Sequence, residues 1–401
     1  MMIKHDYDEN LLDHTIIIAT YNRPELFRSL VNYIVRKSTT VRVLVLDSSR
    51  SDVVALNSSV VGPHKNQICY NVYDPSLDPI VKIVMGIRKV TTSTVSFCAD
   101  DDLLFFDGLL EAREFLLSDA SYSVAHGLYM NFTLSDENIS IFNEYGGAGI
   151  EASHPGARLF QFLRHYEAVF YGVCRTIDLR TVIEESARLD GDAFQELFQS
   201  CALVIAGKTK RFPKYFYARR SGPPADPSRR KWQTFFWFSD NPAEVFSQYA
   251  IYRHALWRYY KLNVIDGEFD RDEFFRVCDI SHASYFASGF SEHYHYTRLE
   301  QLWPNDGYRF HSDIFQALRS QSERGGVMGR IESLMGRLQS ISERKKLSQI
   351  NKTVRTLERK VFDDTGFGRR LDLHPSASWA ADLPVFTTAY NELCYYLMTD
   401  V

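Results

Sequence analysis

The chain has 401 residues, 45% of them hydrophobic and 24% charged, proportions that allow a full core to be buried. That length exceeds one small domain and fits one large domain with an appendage, or two. Forty-six basic residues against 50 acidic leave a net charge of −4, which gives no electrostatic footing for nucleic acid as a partner.

The first half alternates strand and helix patterns. Thr15–Thr20 is a short β-branched run. Pro24 then sits where a first helical turn tolerates it, and Leu26, Phe27, Leu30, Val31 and Ile34 recur at helical spacing. Val41–Asp47 predicts a second strand ending in an acid. Asp78–Val90 predicts a helix with Ile80, Ile83, Val84 and Ile87 on one face. Thr94–Cys98 predicts a buried strand, followed by Asp100, Asp101 and Asp102 and then a helix over Leu109, Ala112 and Leu116. This alternation predicts a mostly parallel sheet with helices on both faces. Ligands of such sheets bind beyond the carboxyl ends of the strands, where Asn22, Asp47 and Asp100–Asp102 all fall.

Three adjacent carboxylates repel one another. At a buried strand end they point to a divalent cation held by hard oxygen ligands, the rest of its shell left to phosphates and water. A solvated acidic turn capping the helix near Asp107 is the bland alternative.

After Tyr122 the pattern changes. Tyr122–Phe132, Ile139–Tyr145, Glu167–Cys174 and Arg211–Arg220 predict strands, Gly146–Gly149 a turn, and Asp192–Ala206 a helix. The stretch Ser221–Lys231, with three prolines and three consecutive basic residues, predicts a domain edge or a mobile lid. Residues 236–310 read as aromatic-rich helices. Trp232–Trp237 and Tyr252–Tyr260 offer sugar-stacking faces, although aromatics at helical spacing are more often core. Val327, Ile331, Leu334, Leu338 and Ile341 form an amphipathic seam that slips and resumes at Ile350. Residues 323–360 carry ten Lys or Arg and four Glu, which suits either an anionic membrane surface or a solvated coiled-coil pair.

Cys69, Cys98, Cys174, Cys201, Cys278 and Cys394 lack CxxC spacing and read as reduced core residues in a reducing compartment. Met1–His14 is polar and acidic, unlike a signal peptide, and no uncharged apolar run approaches the ~18 residues of a membrane span. A cytoplasmic protein is expected, with any membrane contact peripheral at the inner face.

Together, TYNRPELFRSL near the start, the strand-end acid of VLVLDSS and the FCADDD cluster resemble GT-A glycosyltransferases, specifically bacterial family-2-like enzymes, over roughly residues 12–220. The resemblance implies a GT-A, Rossmann-like catalytic domain over 1–235 and a mainly α-helical C-terminal domain over 236–401. It implies transfer of a sugar from a UDP-, GDP- or TDP-linked donor to a glycan or lipid-linked saccharide, with Mn or Mg, in bacterial surface polysaccharide synthesis. Asp102 then matches the direct metal ligand, and Asp100 the contact to ribose or a metal-bound water, with Asp101 beside them. Thr20, Tyr21, Asn22 and Arg23 match the nucleotide-binding first loop. Asp47 matches the acid that accepts from the base or ribose, and Lys82 a basic residue facing the diphosphate.

Inverting relatives carry a carboxylate base about ten residues before a glycine. Glu196, eleven residues before Gly207, best matches that spacing, with Asp192 one turn earlier. The usual Glu-Asp pair is absent, and helix capping by Asp192 is an alternative reading. His126, His154 and His165 read as structural. Three rivals stand beside the transferase: a non-catalytic glycan-binding or scaffold protein, a sugar nucleotidyltransferase, and an aspartyl phosphohydrolase. The nucleotidyltransferase lacks its glycine-rich loop here, and the phosphohydrolase its Asp-X-Asp after the first strand. Self-association is left open.

Overall fold

A computed structural model describes residues 11–135, 138–145, 147–221, 242–264, 269–291, 370–373 and 383–398, with Lys352, Arg355, Thr356 and Arg359 besides. Four parallel strands form its nucleus: β1 (His14–Thr20), β2 (Arg42–Asp47), β3 (Ile68–Val72) and β4 (Thr94–Ala99), in spatial order β3-β2-β1-β4. Of these, β1, β2 and β4 are covered on both faces, so they read as continuous apolar runs with no alternation. The pleat divides them: Ile16 and Ile18 enter one core, and Ile17 the other.

On the first face lie α1 (Pro24–Lys37) and α4 (Phe106–Ser118), which bury Phe27, Leu30, Val31, Phe106, Leu109 and Ala112. On the second lie α3 (Pro79–Ile87), α5 (Pro155–Arg164), α6 (Thr176–Ser186) and α7 (Asp192–Ala206). The remaining early helix, α2 (Ser51–Val61), follows β2 and buries only Val53, Asn57 and Val61. That sparse apolar spacing is why α2, like the half-exposed edge strand β3, carries little signal in the sequence.

The sheet continues past β4 through β8 (Val173–Arg175), β6 (Tyr122–Leu134) and β7 (Asn138–Tyr145), to β10 (Arg370–Leu373). The strand expected over Glu167–Cys174 is corrected: Val169–Tyr171 is a 3-10 turn and only Val173–Arg175 pairs in the sheet. A short apolar run does not by itself distinguish a strand from a buried turn. Off the main path, β9 (Lys208–Arg220) runs parallel to β6 and pairs antiparallel with the two-residue β5 (Leu103–Leu104). The α/β architecture, parallel at its centre with helices on both faces, is the one the sequence predicts.

Three later helices are described: α8 (Pro242–Asn263), α9 (Arg271–Ser291) and α10 (Leu383–Met398). Tyr252, Tyr259, Tyr260 and Phe274 of α8 and α9 join the second core, while Phe386, Tyr390 and Leu393 of α10 join the first. The aromatics of Tyr252–Tyr260 are thus largely core, and the Tyr252 hydroxyl is 2.9 Å from His282 Nε2. Among the described residues the C-terminal part is mainly helical as expected, β10 apart. The basic loop beyond Ser221, the Trp232–Trp237 aromatics, the boundary near residue 235 and the seam over 327–361 lie outside the described residues. All six cysteines are free thiols. Among the described residues no helix is long and apolar enough to cross a membrane.

At the start of β1 a fully buried His14 sits 3.0 Å from both Thr94 Oγ1 and Ser96 Oγ. Burial, and secondarily the charge of Arg113, lower its pKa from 6.5 to about 3. Because the folded pKa lies below the unfolded one, the neutral ring contributes stability above pH 6.5. That contribution declines as pH falls from 6.5 towards 3, at about 1.4 kcal/mol per unit. Buried carboxylates titrate with the opposite sign, so the test is a difference between proteins. Destabilisation by His14→Gln, from urea midpoints, is expected to be largest at pH 7 and to shrink steadily below 6.5. A pH-independent difference would show that folding does not shift the titration of this ring.

Candidate active site

The carboxyl ends of β1, β2 and β4 meet, and a short network joins them. Asn22, just past β1, has φ 54°, in the left-handed region that asparagine tolerates better than most residues. Both its polar groups explain the conformation. Its amide N–H donates to Ser49 Oγ at 2.8 Å, and its Oδ1 accepts from the Arg50 N–H at 3.0 Å. The first loop is therefore fastened to the loop after β2. Lys82, buried on α3, lies beneath both, donating to the Thr20 carbonyl at 3.2 Å and to Ser48 Oγ at 2.8 Å. Burial lowers the Lys82 pKa, opposed by the charges of Asp47 and Asp100. In this arrangement its ammonium supports the loops.

Asp47 is fully buried and bonded within the chain. Its Oδ1 accepts from the Ser49 N–H at 2.7 Å, and its Oδ2 from Asn57 Nδ2 at 2.7 Å and the Tyr70 hydroxyl at 2.5 Å. Its remaining lone pairs are sealed by that burial, so contact with a base or ribose would require the residues over it to shift. Tyr21, by contrast, is 52% exposed beside them, with its ring open to a planar partner.

The acidic triplet begins where β4 ends. Asp100 is buried, accepting from the Thr20 hydroxyl at 2.7 Å and from Arg23 Nη1 at 3.1 Å. The same Nη1 donates to Asp101 at 2.8 Å, so one guanidinium bridges two of the three acids. Asp102 is different. Its two oxygens accept from the Tyr217 hydroxyl at 2.8 Å and the Arg220 N–H at 2.9 Å, and among the described residues no Lys or Arg side chain pairs with it. Burial, then the neighbouring Asp101 charge, raise its pKa from 3.8 to about 7, against the pull of Tyr217, the Arg220 N–H and the Arg219 charge. Burial also raises Asp100, offset by Thr20 and Arg23.

A second carboxylate approaches from α7. Glu196 Oε1 accepts from the Tyr166 hydroxyl at 3.0 Å, and burial raises its pKa, with Tyr166 and Arg219 opposing. The fields of Asp102 and Glu196 both act on the Tyr171 phenol, and its ring centroid is 5.3 Å from that of Tyr217. Asp102 and Glu196 are thus coupled electrostatically through Tyr171 and Arg219. Asp192 is the first residue of α7, following Gly191 with φ 86°; its side chain lies outside the described ones. The C-terminus of α7 is held by Arg158, buried on α5, whose guanidinium donates to the Val204 and Ile205 carbonyls at 2.8 and 2.6 Å. That places a cation on the negative end of the helix dipole.

Tyr217 and Tyr171 were not legible as site residues. For Tyr217 the one trace in the sequence is the alternation Tyr215, Tyr217, Arg219 along β9. His126 is buried in the core with its Nδ1 3.0 Å from the Gly127 carbonyl.

The donors suit a hard divalent ion. Among the described residues no group of three or more His, Cys, Asp or Glu could form a protein-only shell. A buried carboxylate without a paired cation, next to two more acids, matches an ion held by one or two carboxylates and completed by phosphates and water.

No family model and no curated protein matches this chain. Among solved structures it is similar to S. aureus TarS 1-349, with 14% identity and a TM-score of 0.43 over 70% of this chain and 72% of that one. The same protein in complex with UDP-GlcNAc gives 13%, 0.44, 69% and 73%. The mannosyltransferase PcManGT from Pyrobaculum calidifontis, in complex with GDP-Man and Mn2+, gives 13%, 0.36, 73% and 88%. At such distances the chemistry of the site rests on this chain's own residues.

Proposed function

We propose that the protein is a glycosyltransferase that moves a sugar from a nucleotide-diphosphate donor to a hydroxyl of a glycan or lipid-linked saccharide, using Mn or Mg. The observation that carries this reading is the joining of the Thr20–Arg23 loop to the Asp100–Asp102 triplet at the carboxyl edge of the parallel strands, with the charges of both Asp102 and Glu196 acting on Tyr171. Ligands in open α/β sheets bind at that edge. Tyr21 offers its exposed ring to the base, and Arg23 a guanidinium to a phosphate. Asp102 and Asp100 would hold the cation, which stabilises the leaving diphosphate as a Lewis acid when bound.

The chain's own residues do the rest. Glu196, poised by burial, takes the proton of the acceptor hydroxyl. The acceptor oxygen forms a bond to the anomeric carbon. The bond from that carbon to the phosphate oxygen breaks, and its electron pair leaves with the nucleoside diphosphate. Attack from the face opposite the leaving group inverts the anomeric centre. Bacterial surface polysaccharide synthesis is the setting this reading favours.

Calorimetric titration with UDP, GDP, TDP and CMP, each with Mn and with chelator, tests the proposal. One nucleoside diphosphate is expected to bind with Mn and to lose most of its affinity with chelator. Absence of binding under every condition would sink the reading. Metal-dependent binding without sugar transfer to any acceptor would favour the non-catalytic scaffold.

A further inference from the structure

We infer that Tyr217 is a positioning residue for Asp102: its hydroxyl sets the orientation in which that carboxylate meets a divalent cation. The inference rests on the donor-site reading above. Tyr217 is 1% exposed, and its hydroxyl meets the Ala99 N–H and the Asp102 carboxylate, with the Cys98 thiol a weaker acceptor beside them. The Ala99 N–H can only donate, at 3.1 Å, so the single phenolic proton goes to Asp102 Oδ2, at 2.8 Å. The Arg220 N–H holds Oδ1 at 2.9 Å. Each carboxylate oxygen thus has its own donor, and both donors come from β9.

The backbone makes this clamp stiff. The turn over Asp100–Asp102 is closed by the Asp102 N–H donating to the Ala99 carbonyl at 3.2 Å. Tyr217 bonds to both ends of that turn. Immediately beyond it, β5 is registered against β9 by the pairs Leu103 with Ala218 and Leu104 with Tyr217. The Tyr217 ring is itself wedged, with centroids 5.3 Å from Tyr129 and 5.3 Å from Tyr171. A core tyrosine that served packing alone would satisfy its hydroxyl on any carbonyl. Here the proton goes to the one acid of the triplet that makes no ion pair with a Lys or Arg among the described residues, although the Arg219 charge acts on it, and each oxygen keeps lone-pair capacity for a cation. Partners that orient a ligating carboxylate typically change metal affinity by about 10- to 100-fold when removed.

The test is Mn affinity of the full chain, read from free Mn by electron paramagnetic resonance at saturating levels of the nucleoside diphosphate that the wild type binds. Tyr217→Phe keeps the ring and removes the hydroxyl. It is expected to weaken Mn binding by about 10-fold or more, with nucleotide affinity in chelator little changed and a lowered thermal midpoint, because phenylalanine leaves the Ala99 N–H and Asp102 without their partner. Unaltered Mn affinity overturns the inference and leaves Tyr217 a packing residue. If the phenylalanine variant does not fold, 3,5-difluorotyrosine at position 217 keeps the shape and makes a stronger donor. Mn affinity then shifts if the hydroxyl sets the carboxylate, and stays constant if only the ring matters. Failure of the wild type to bind any nucleoside diphosphate with Mn removes the donor-site reading and the inference together. Wild-type binding equalled by Tyr217→Phe removes the inference alone.

Discussion

Asp102→Asn is expected to abolish Mn-dependent nucleotide binding while leaving the ligand-free protein at least as stable as the wild type at pH 8. Both halves follow from one fact: the carboxylate is buried, 4% exposed, without a paired basic side chain among the described residues. Its folded pKa, raised to about 7 by burial and by Asp101, exceeds the unfolded value of 3.8. For an acid raised in this way, the folded state holds the proton more tightly. Stability therefore falls as pH rises from about 4 to 7, and above 7 the ionised group costs on the order of a few kcal/mol. Asparagine removes that cost, at the expense of about 1 kcal/mol where its amide meets a donor. It also removes the anion a cation needs, so affinity for the metal–nucleotide pair should fall at least about 100-fold. Calorimetry with Mn and a thermal scan at pH 8 and pH 5 read the two effects. An unchanged affinity would place the cation elsewhere. A large loss of stability at pH 8 would mean that the Tyr217 and Arg220 bonds outweigh the burial of the charge.

Glu196→Gln is expected to lower kcat by roughly 10²- to 10⁴-fold while leaving metal-dependent nucleotide affinity within about threefold. Glu196 lies on α7, apart from the strand ends that hold the triplet, so removing its charge leaves the donor loops untouched. Burial raises its pKa, which brings a carboxylate closer to the range where a general base is both deprotonated and strong. The sign for activity is clear. A base must be ionised, so kcat/KM in the wild type falls as pH drops through the raised value, and the glutamine variant loses that limb. A variant with undiminished kcat and the same acid limb would exclude Glu196 as the base. Gln keeps an acceptor for Tyr166, so a loss of fold is not expected to confuse the readout.

Much of the fold was legible because β1, β2 and β4 are buried on both faces and announce themselves as unbroken apolar runs. Thr15–Thr20, Val41–Asp47 and Thr94–Cys98 fall within a residue of the observed strands, and Asp192–Ala206 matches the helix seen. Elements that bury little were silent. The helix Ser51–Val61 hides three residues, and Ile68–Val72 is an edge strand with one buried side chain. The run Glu167–Cys174 misled because Val169 and Phe170 are buried in a turn, and burial alone does not specify extension.

The sequence by itself determined which charges stand at the strand ends, since Asn22, Asp47 and Asp100–Asp102 follow apolar runs whose direction in a parallel sheet is common to all. The resemblance to the glycosyltransferase family, through the interval between Glu196 and Gly207, is what singled out Glu196 as the candidate base. Only the tertiary structure decided how these charges differ from one another. Arg23 bridges Asp100 and Asp101 across some 77 residues of chain, Asp47 is satisfied by Asn57 and Tyr70, and Lys82 is committed to the loops above it. Asp102 receives Tyr217 from 115 residues away. A carboxylate's chemistry is set by its burial and its hydrogen-bond donors, and those donors arrive from strands and helices that no local spacing connects.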